Sequence, residues 1–235
     1  MVLLSIVIPA YNESKHIGDT IHSIFNAIEQ SNWHPFELIV ADDASTDGTA
    51  EIARELGAQV VVSGKRNIAA SRNAGAAVAL GEYLLFVDAD TKINVDLLNS
   101  MESALNDGAI GGGAQVAWSE PSGSRMADGV LAIWNWVSRT FHAPAGSFFF
   151  VRRDAFEKVN GFDEEYFVSE ELHLGKKLKK LGRLSILREA VATSPRKLHQ
   201  FSMREHMRFF GRIILNRGKI FRNRKYLDIW YTRRD

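Results

Sequence analysis

Asp88 and Asp90 stand one residue apart at the end of the apolar run Leu84-Leu85-Phe86-Val87. If the extended backbone persists through Ala89, both carboxylates point the same way. Two like-facing carboxylates repel each other unless a cation lies between them. All-oxygen ligands of this kind suit Mg²⁺ or Mn²⁺, which bridge a few carboxylates to substrate phosphates. The alternative is a turn, because Asp-x-Asp after a strand is also ordinary turn chemistry. A second acid pair, Asp42-Asp43, closes the apolar run 36–41. A third, Glu170-Glu171, follows Ser169 and opens a helical pattern carrying Leu172, Leu174, Leu178 and Leu181. Acids in a first helical turn also complement the helix dipole.

The elements around these pairs decide where they sit. Leu3-Leu4-Ser5-Ile6-Val7-Ile8-Pro9 reads as a first buried strand stopped by proline. Tyr11, Asn12 and Glu13 then open a helix whose Ile17, Ile21, Ile24, Phe25 and Ile28 share one face. The strand 36–41 follows, and Ser45-Thr46-Asp47-Gly48-Thr49 supplies capping chemistry for a short helix ending at Gly57. Val60-Val61-Val62 is a third strand, and 67–80 an alanine-rich helix leading into the strand before Asp88. Strand and helix alternating in this way predict an α/β fold with a mostly parallel, doubly wound sheet. Right-handed crossovers put every strand's carboxyl end, and with it both aspartate pairs, on the one edge where ligands bind in such sheets.

The chain of 235 residues is one large domain or a domain with an appendage. It is 46% hydrophobic and 24% charged, the balance of a globular protein. With no cysteine, disulfide frameworks and thiolate metal sites are excluded. The N-terminal apolar run stops at Pro9 without a basic leader or cleavage site, and no apolar stretch reaches the roughly 20 residues that span a bilayer. The expectation is a cytoplasmic protein. A net charge of +1 hides an asymmetry: residues 196–235 hold 12 Lys or Arg against 3 acids, and the rest is net acidic.

Four segments in order carry a resemblance. They are Ser5-Ile6-Val7-Ile8-Pro9-Ala10-Tyr11-Asn12-Glu13, Asp42-Asp43-Ala44-Ser45-Thr46-Asp47-Gly48-Thr49, Ala70-Ser71-Arg72-Asn73-Ala74-Gly75 and Asp88-Ala89-Asp90. Together they resemble the signature of family 2 glycosyltransferases, whose fold is the nucleotide-diphospho-sugar-binding type called GT-A. The likeness continues through Gly146-Ser147-Phe148-Phe149-Phe150-Val151-Arg152-Arg153 and Gly161-Phe162-Asp163-Glu164, and fades after Arg196. It implies a metal-dependent transfer of a sugar from a nucleotide diphosphate, UDP foremost, to an acceptor hydroxyl, with Mn²⁺ or Mg²⁺ as cofactor. The nucleotide-binding positions it implies are Pro9, Tyr11, Glu13 and Asp42, with Asp42 accepting from a base N–H and Tyr11 stacking on the base. Arg72 is implied to meet the nucleotide phosphates, and Asp88 to serve both donor and metal beside Asp90. The plain alternatives are a capping turn for Asp42 and Asp43, and a surface helix position for Arg72.

Relatives usually carry Glu-Asp where this chain has Glu170-Glu171, and the second acid is the catalytic base of inverting members. The resemblance therefore implies Glu171 as base and Glu170 as its substitute. Late in the chain, Thr193-Ser194-Pro195-Arg196-Lys197 resembles a stretch that follows the last sheet strand. Some relatives recruit a late histidine to the metal, which singles out His199; a structural histidine is the alternative, and His173 and His206 are lesser candidates.

The domain expectation is a transferase domain over 1–195, with a nucleotide-sugar half over 1–106 and an acceptor-side half over 107–195, then a basic helical extension over 196–235. The segment 129–141, with Val130, Leu131, Ile133, Trp134, Trp136, Val137 and Phe141, is expected as a core helix, or else as the wall of a greasy acceptor groove or a lipid contact. In the extension, Met203, Met207, Phe210 and Ile214 form one helical face beside Arg204, Arg208 and Arg212. This is either a solvated basic face or an amphipathic helix on an anionic membrane. The expected partners are thus a nucleotide-sugar donor, an acceptor carbohydrate or lipid-linked saccharide, and an anionic membrane surface. Nucleic acid is set aside, since no motif for it is present. Two other readings remain: a retaining transferase or nucleotidyltransferase on the same fold, and a sugar-nucleotide- or lipid-binding protein without catalysis.

Overall fold

The computed structural model describes residues 3–193. The extension expected over 196–235 and His199 lie outside these residues, as does His206.

The chain begins as expected, with β1 (Leu4–Ala10), α1 (Ile17–Glu29), β2 (Phe36–Asp42), α2 (Thr49–Glu55), β3 (Gln59–Val62), α3 (Ile68–Val78) and β4 (Tyr83–Val87). A two-residue β5 (Thr91–Lys92) and α4 (Val95–Asn106) follow, then β6 (Gly111–Trp118), α5 (Arg125–Phe141), β7 (Phe148–Arg152), α6 (Arg153–Lys158), α7 (Glu170–Leu178) and β8 (Leu184–Thr193). All eight strands join one sheet in the order β3-β2-β1-β4-β7-β6-β8-β5. The first four are mutually parallel, which is half of a doubly wound sheet.

β1 is buried along its whole length because both faces of the sheet are covered. Leu4, Ile6 and Ile8 pack on the side of α1 and α4, with Ile21, Ile24, Leu97 and Met101. Val7 points the other way, toward Phe86 and the inner residues of α3, α6 and α7: Ala69, Phe156 and Leu174. Each such apolar side chain contributes on the order of 1.5–3 kcal/mol by leaving water. Helix α3 lies close on β1 because residue 75 is glycine; a Cβ there would overlap Val7.

The second half departs from the parallel plan. β7 enters antiparallel between β4 and β6, with Val87 opposite Phe148 and Tyr83 opposite Arg152. The reversal has a direct consequence: the chain enters β7 at the edge where β4 ends. Gly146 and Ser147 therefore lie against Asp88, whose N–H donates to Ser147 O at 3.4 Å. The glycine run 111–113 forms the start of β6, where a Cβ on Gly112 would overlap Ser185 O. The run thus serves close backbone approach.

Helix α5 is not the core helix expected from 129–141. Among its residues only Ser138 is buried. Leu131 and Trp134 pack on the core, whereas Met126, Val130, Ile133, Trp136 and Phe141 are exposed. The apolar residues occupy a wider arc than the sheet face can cover, and the surplus is left outside.

Candidate active site

The edge where the resemblance implies a nucleotide is assembled from the loops that leave β1 and β2. Asn12 sits at φ 53°, which turns its side chain back so that Oδ1 accepts the Thr46 N–H at 2.8 Å. In return Asn12 N donates to Ser45 Oγ, Glu13 N to Thr49 Oγ1 and Ser14 N to Asp47 Oδ2. Glu13 O then receives the N–H groups of His16 and Ile17 and starts α1. Asp47 also accepts from both the N–H and the hydroxyl of Thr49, so the capping chemistry read from Ser45 to Thr49 comes from Asp47 two residues before the helix. Pro9 lies buried in β1 opposite Ala41.

Asp42 and Asp43 divide their work. Asp43 is a builder: Oδ1 accepts from Ser63 Oγ and Arg66 N, and Oδ2 from Asn67 N, which fixes the turn into α3. Asp42 has one oxygen on the Ser45 N–H at 3.1 Å, while its buried Oδ1 has no partner. A buried carboxylate oxygen left without a donor is costly, and a ligand N–H would satisfy it. Tyr11 flanks this edge with the Arg66 guanidinium 3.8 Å above its ring, a cation–π arrangement that occupies one face of the ring.

Arg72 corrects the expectation most. Neither a surface position nor one turned to open phosphate-binding space, it is the largest fully buried side chain of the chain as described. Nη1 forms an ion pair with Glu170 Oε1, and Nη2 donates to Asp88 Oδ1 at 2.9 Å and to Gly146 O at 3.1 Å. Burial works against the guanidinium charge, but Glu170 and then Asp88 more than offset it, and Arg72 stays firmly protonated. Glycine at 146 suits this packing, because a Cβ would sit 2.9 Å from Nη2 and push the guanidinium off its partners.

The carboxylates after β4 also differ from the extended arrangement. The strand ends at Val87, and Ala89 and Asp90 form a turn closed by Thr91 N–H on Asp88 O at 3.1 Å. Thr20 Oγ1 on α1 holds the turn through Ala89 O. Asp88 and Asp90 are therefore related by a turn, both half-buried at the sheet edge, rather than by strand alternation. Among the described residues no cluster of three or more acidic or histidine side chains forms a closed cation cage. Two carboxylates at an open edge still fit Mn²⁺ or Mg²⁺, since such ions take one or two protein carboxylates and complete their shell with phosphate and water oxygens.

The Glu170-Glu171 pair separates in the same way as Asp42-Asp43. Glu170 is buried and committed to Arg72. Glu171 is half-buried by surface area, yet enough protein surrounds its carboxyl to penalise the charged form. That burial, reinforced by the neighbouring Glu170 charge and only partly relieved by Arg72, pushes Glu171 up to about 8. Ser169, at φ 64°, turns the chain sharply so that both acids open α7 at this edge. His173, one turn on, stacks on Tyr166 and meets Asp163 at 3.6 Å.

The structure thus brings Arg72, Asp88, Gly146 and Glu170 into one cluster, with Glu171 beside it and Asp42 and Tyr11 on the same edge. The part of Glu170 as the buried counter-ion of Arg72 was missed. Its only sequence signal was an arginine among small residues in the alanine-rich helix 67–80.

Comparison with known proteins agrees with this architecture. The family model described as Glycosyl transferase family 2 matches residues 5–159. The succinoglycan biosynthesis protein ExoA of Rhizobium meliloti is 28% identical over 200 residues, covering 75% of this chain and 58% of that protein. Glucosyl-3-phosphoglycerate synthase of Mycobacterium tuberculosis, solved with Mn²⁺, UDP and glucosyl-3-phosphoglycerate, superposes with a TM-score of 0.63 at 18% identity, covering 94% of this chain and 79% of that one. Staphylococcus aureus TarS in complex with UDP gives 0.61 at 21% identity, covering 80% and 59%. These likenesses establish the GT-A fold. The chain spans 39%, 31% and 58% of the first three curated relatives it matches.

Proposed function

Because the chain belongs to glycosyl transferase family 2, we propose that it moves a sugar from a nucleotide diphosphate to an acceptor hydroxyl, inverting the anomeric carbon. One observation carries the proposal: Arg72 takes Glu170 as its buried counter-ion and leaves Glu171 as the carboxyl with a raised proton affinity at the active edge. A base poised near working pH is what acceptor activation needs. Glu171 removes the hydroxyl proton as the acceptor oxygen bonds to the anomeric carbon, and the bond from that carbon to the diphosphate breaks.

UDP is the preferred donor nucleotide. The unpartnered Oδ1 of Asp42 accepts the N–H of the base, and Tyr11 with Arg66 packs along it. Asp88 and Asp90 would hold Mn²⁺ or Mg²⁺. The cation would supply neutralising charge at the departing diphosphate. Arg72 acts beneath the surface by fixing Asp88, Gly146 and α7 relative to one another, and the proposal gives it no phosphate contact.

The acceptor is a carbohydrate or lipid-linked saccharide. Among the described residues no helix is long and apolar enough to cross a membrane. We place contact with an anionic membrane at the bases of 196–235. Calorimetry of UDP with Mn²⁺ and with chelator, followed by NMR of the product anomer, tests the reading. Equal UDP affinity in both conditions, or retention at the anomeric carbon, overturns it.

A further inference from the structure

We propose that the exposed stripe of α5 is the seat of the chain's own C-terminal segment, residues 203–214. The inference does not depend on the glycosyl-transfer reading. Met126, Val130, Ile133, Val137 and Phe141 recur at four- and three-residue steps along one line of α5. Four of the five are between 49% and 64% exposed, and Trp136 beside them is 58% exposed. Such a line is wasteful on a surface helix unless something lies along it.

The sequence beyond the described residues supplies a match. Met203, Met207, Phe210 and Ile214 repeat the same steps of four, three and four that separate Met126, Val130, Ile133 and Val137. Equal steps on two amphipathic faces let their ridges and grooves interlock over the whole line. Arg204, Arg208 and Arg212 each follow at about 100° or more around such a helix, so seating the apolar line leaves the bases turned to solvent.

The path is short. The described chain stops at Thr193, which pairs with Trp118 and accepts the Ser119 N–H at 2.9 Å; α5 begins at Arg125. An open cavity of about 650 Å³, lined by Trp118, Ser119, Ser124, Arg125 and Asp128, lies between that exit and the helix. Trp118 Nε1 is buried there without a partner. The residues from Ser194 to Met203 can reach roughly 33 Å when extended, against about 25 Å for the whole of α5. A seated segment would also lie beside the connection 142–147, which carries Gly146 to Arg72.

The absence of cysteine makes the test direct. In the full-length chain, Ile133→Cys is combined with Met207→Cys or with Phe210→Cys, and Arg139→Cys, exposed and turned away from the stripe, serves as control in place of Ile133→Cys. Mild oxidation should close an intramolecular disulfide in at least one Ile133 pair about tenfold faster than in the control, as expected for a high local concentration. In the Met207→Asp/Phe210→Asp variant, hydrogen exchange across 126–141 should quicken. Concentration-dependent dimers through Ile133→Cys alone would assign the stripe to a second copy and overturn the proposal. Unchanged exchange in the double aspartate variant, or protection of α5 only on anionic phospholipid vesicles, would overturn it as well.

Discussion

On the edge proposed for the donor, the loops after β1 and β2 lock one another through Asn12, Ser45, Asp47 and Thr49, with partners 33 to 36 residues apart. On the edge proposed for the acceptor, α7 is tied to the sheet by an ion cluster whose members lie up to 98 residues apart, and α5 leaves apolar surface uncovered. The first is stiff by many modest hydrogen bonds, each worth about 0.5–1.5 kcal/mol. The second depends on a few buried charges, where losing one partner leaves another stranded. The donor edge should therefore yield gradually to substitution and the acceptor edge abruptly.

The sharpest break is at Arg72. Arg72→Met leaves Glu170 buried without a counter-ion, and loss of one member of a buried pair costs about 3–5 kcal/mol. Urea unfolding should show that loss, whereas Arg72→Met combined with Glu170→Leu should recover much of it, because the stranded charge is gone. If Arg72→Met unfolds within about 1 kcal/mol of the parent, the cluster does not hold the acceptor edge.

Next comes Glu171. Glu171→Gln should leave UDP affinity nearly unchanged and lower turnover by about 100-fold or more. With its pKa raised to about 8, Glu171 is mostly protonated at neutral pH, so kcat/KM should climb with pH toward about 8 and level off above it. Stability moves the other way. Between the ordinary value of 4.5 and about 8 the unfolded chain releases this proton while the folded chain keeps it, so this group's contribution to stability falls as pH rises through that window. Glu171→Gln should flatten both slopes. If Glu170→Gln is the folded but inactive variant and Glu171→Gln turns over normally, the two acids have been assigned in the wrong order.

The same contrast explains what the sequence made legible. β1 to β4, their helices and the loop residues Asn12 to Asp47 were readable because their periodicities and capping groups act over a few residues. The antiparallel entry of β7 was not, since Phe148-Phe149-Phe150 marks a buried strand without stating its direction. Arg72 was misplaced because a guanidinium among alanines gives no sign of two carboxylates 16 and 98 residues away. The extended reading of Asp88 and Asp90 failed at the hydrogen bond from Thr91 to Asp88, where turn chemistry overrode strand alternation. The composition of 129–141 reads as a core helix, or else as a groove wall or lipid contact, because apolar content does not reveal how much of its circumference the sheet can cover.

A smaller effect belongs to the donor edge. Asp42→Asn keeps the shape and replaces one carboxylate oxygen with an amide group. UDP affinity should fall by about tenfold, near the lower end for hydrogen bonds to charged groups. The network around Asn12 and Thr49 should hold the thermal midpoint within a few degrees. Loss of folding instead of loss of affinity would show that the orphaned Oδ1 serves the loop and not a ligand.

The smallest effect is expected where the two edges are stitched together in water. Lys65 Nζ meets Glu164 Oε2 at 2.8 Å, but the two side chains are 62% and 41% exposed. A half-buried stitch lies alongside: Asn73 Nδ2 donates to Phe162 O at 2.9 Å and Asn73 Oδ1 accepts the Phe162 N–H at 3.0 Å. An exposed pair of this kind contributes about 0.2–1 kcal/mol and is screened by salt, so Lys65→Met should cost no more than that. The hydrogen bond from Lys65 holds the Glu164 carboxyl below its ordinary 4.5, somewhat opposed by burial and assisted by Asn73. A depressed acid stabilises the fold above its unfolded value and loses that contribution as pH falls through the lowered folded value. Thermal midpoints of parent and Lys65→Met should differ slightly at neutral pH, converge as pH falls below the ordinary 4.5, and converge at neutral pH in about 0.5 M salt. A larger, salt-insensitive cost would mean that the exposed pair behaves like the buried Arg72–Glu170 pair, and the contrast between buried and solvated charge would fail at the seam between the edges.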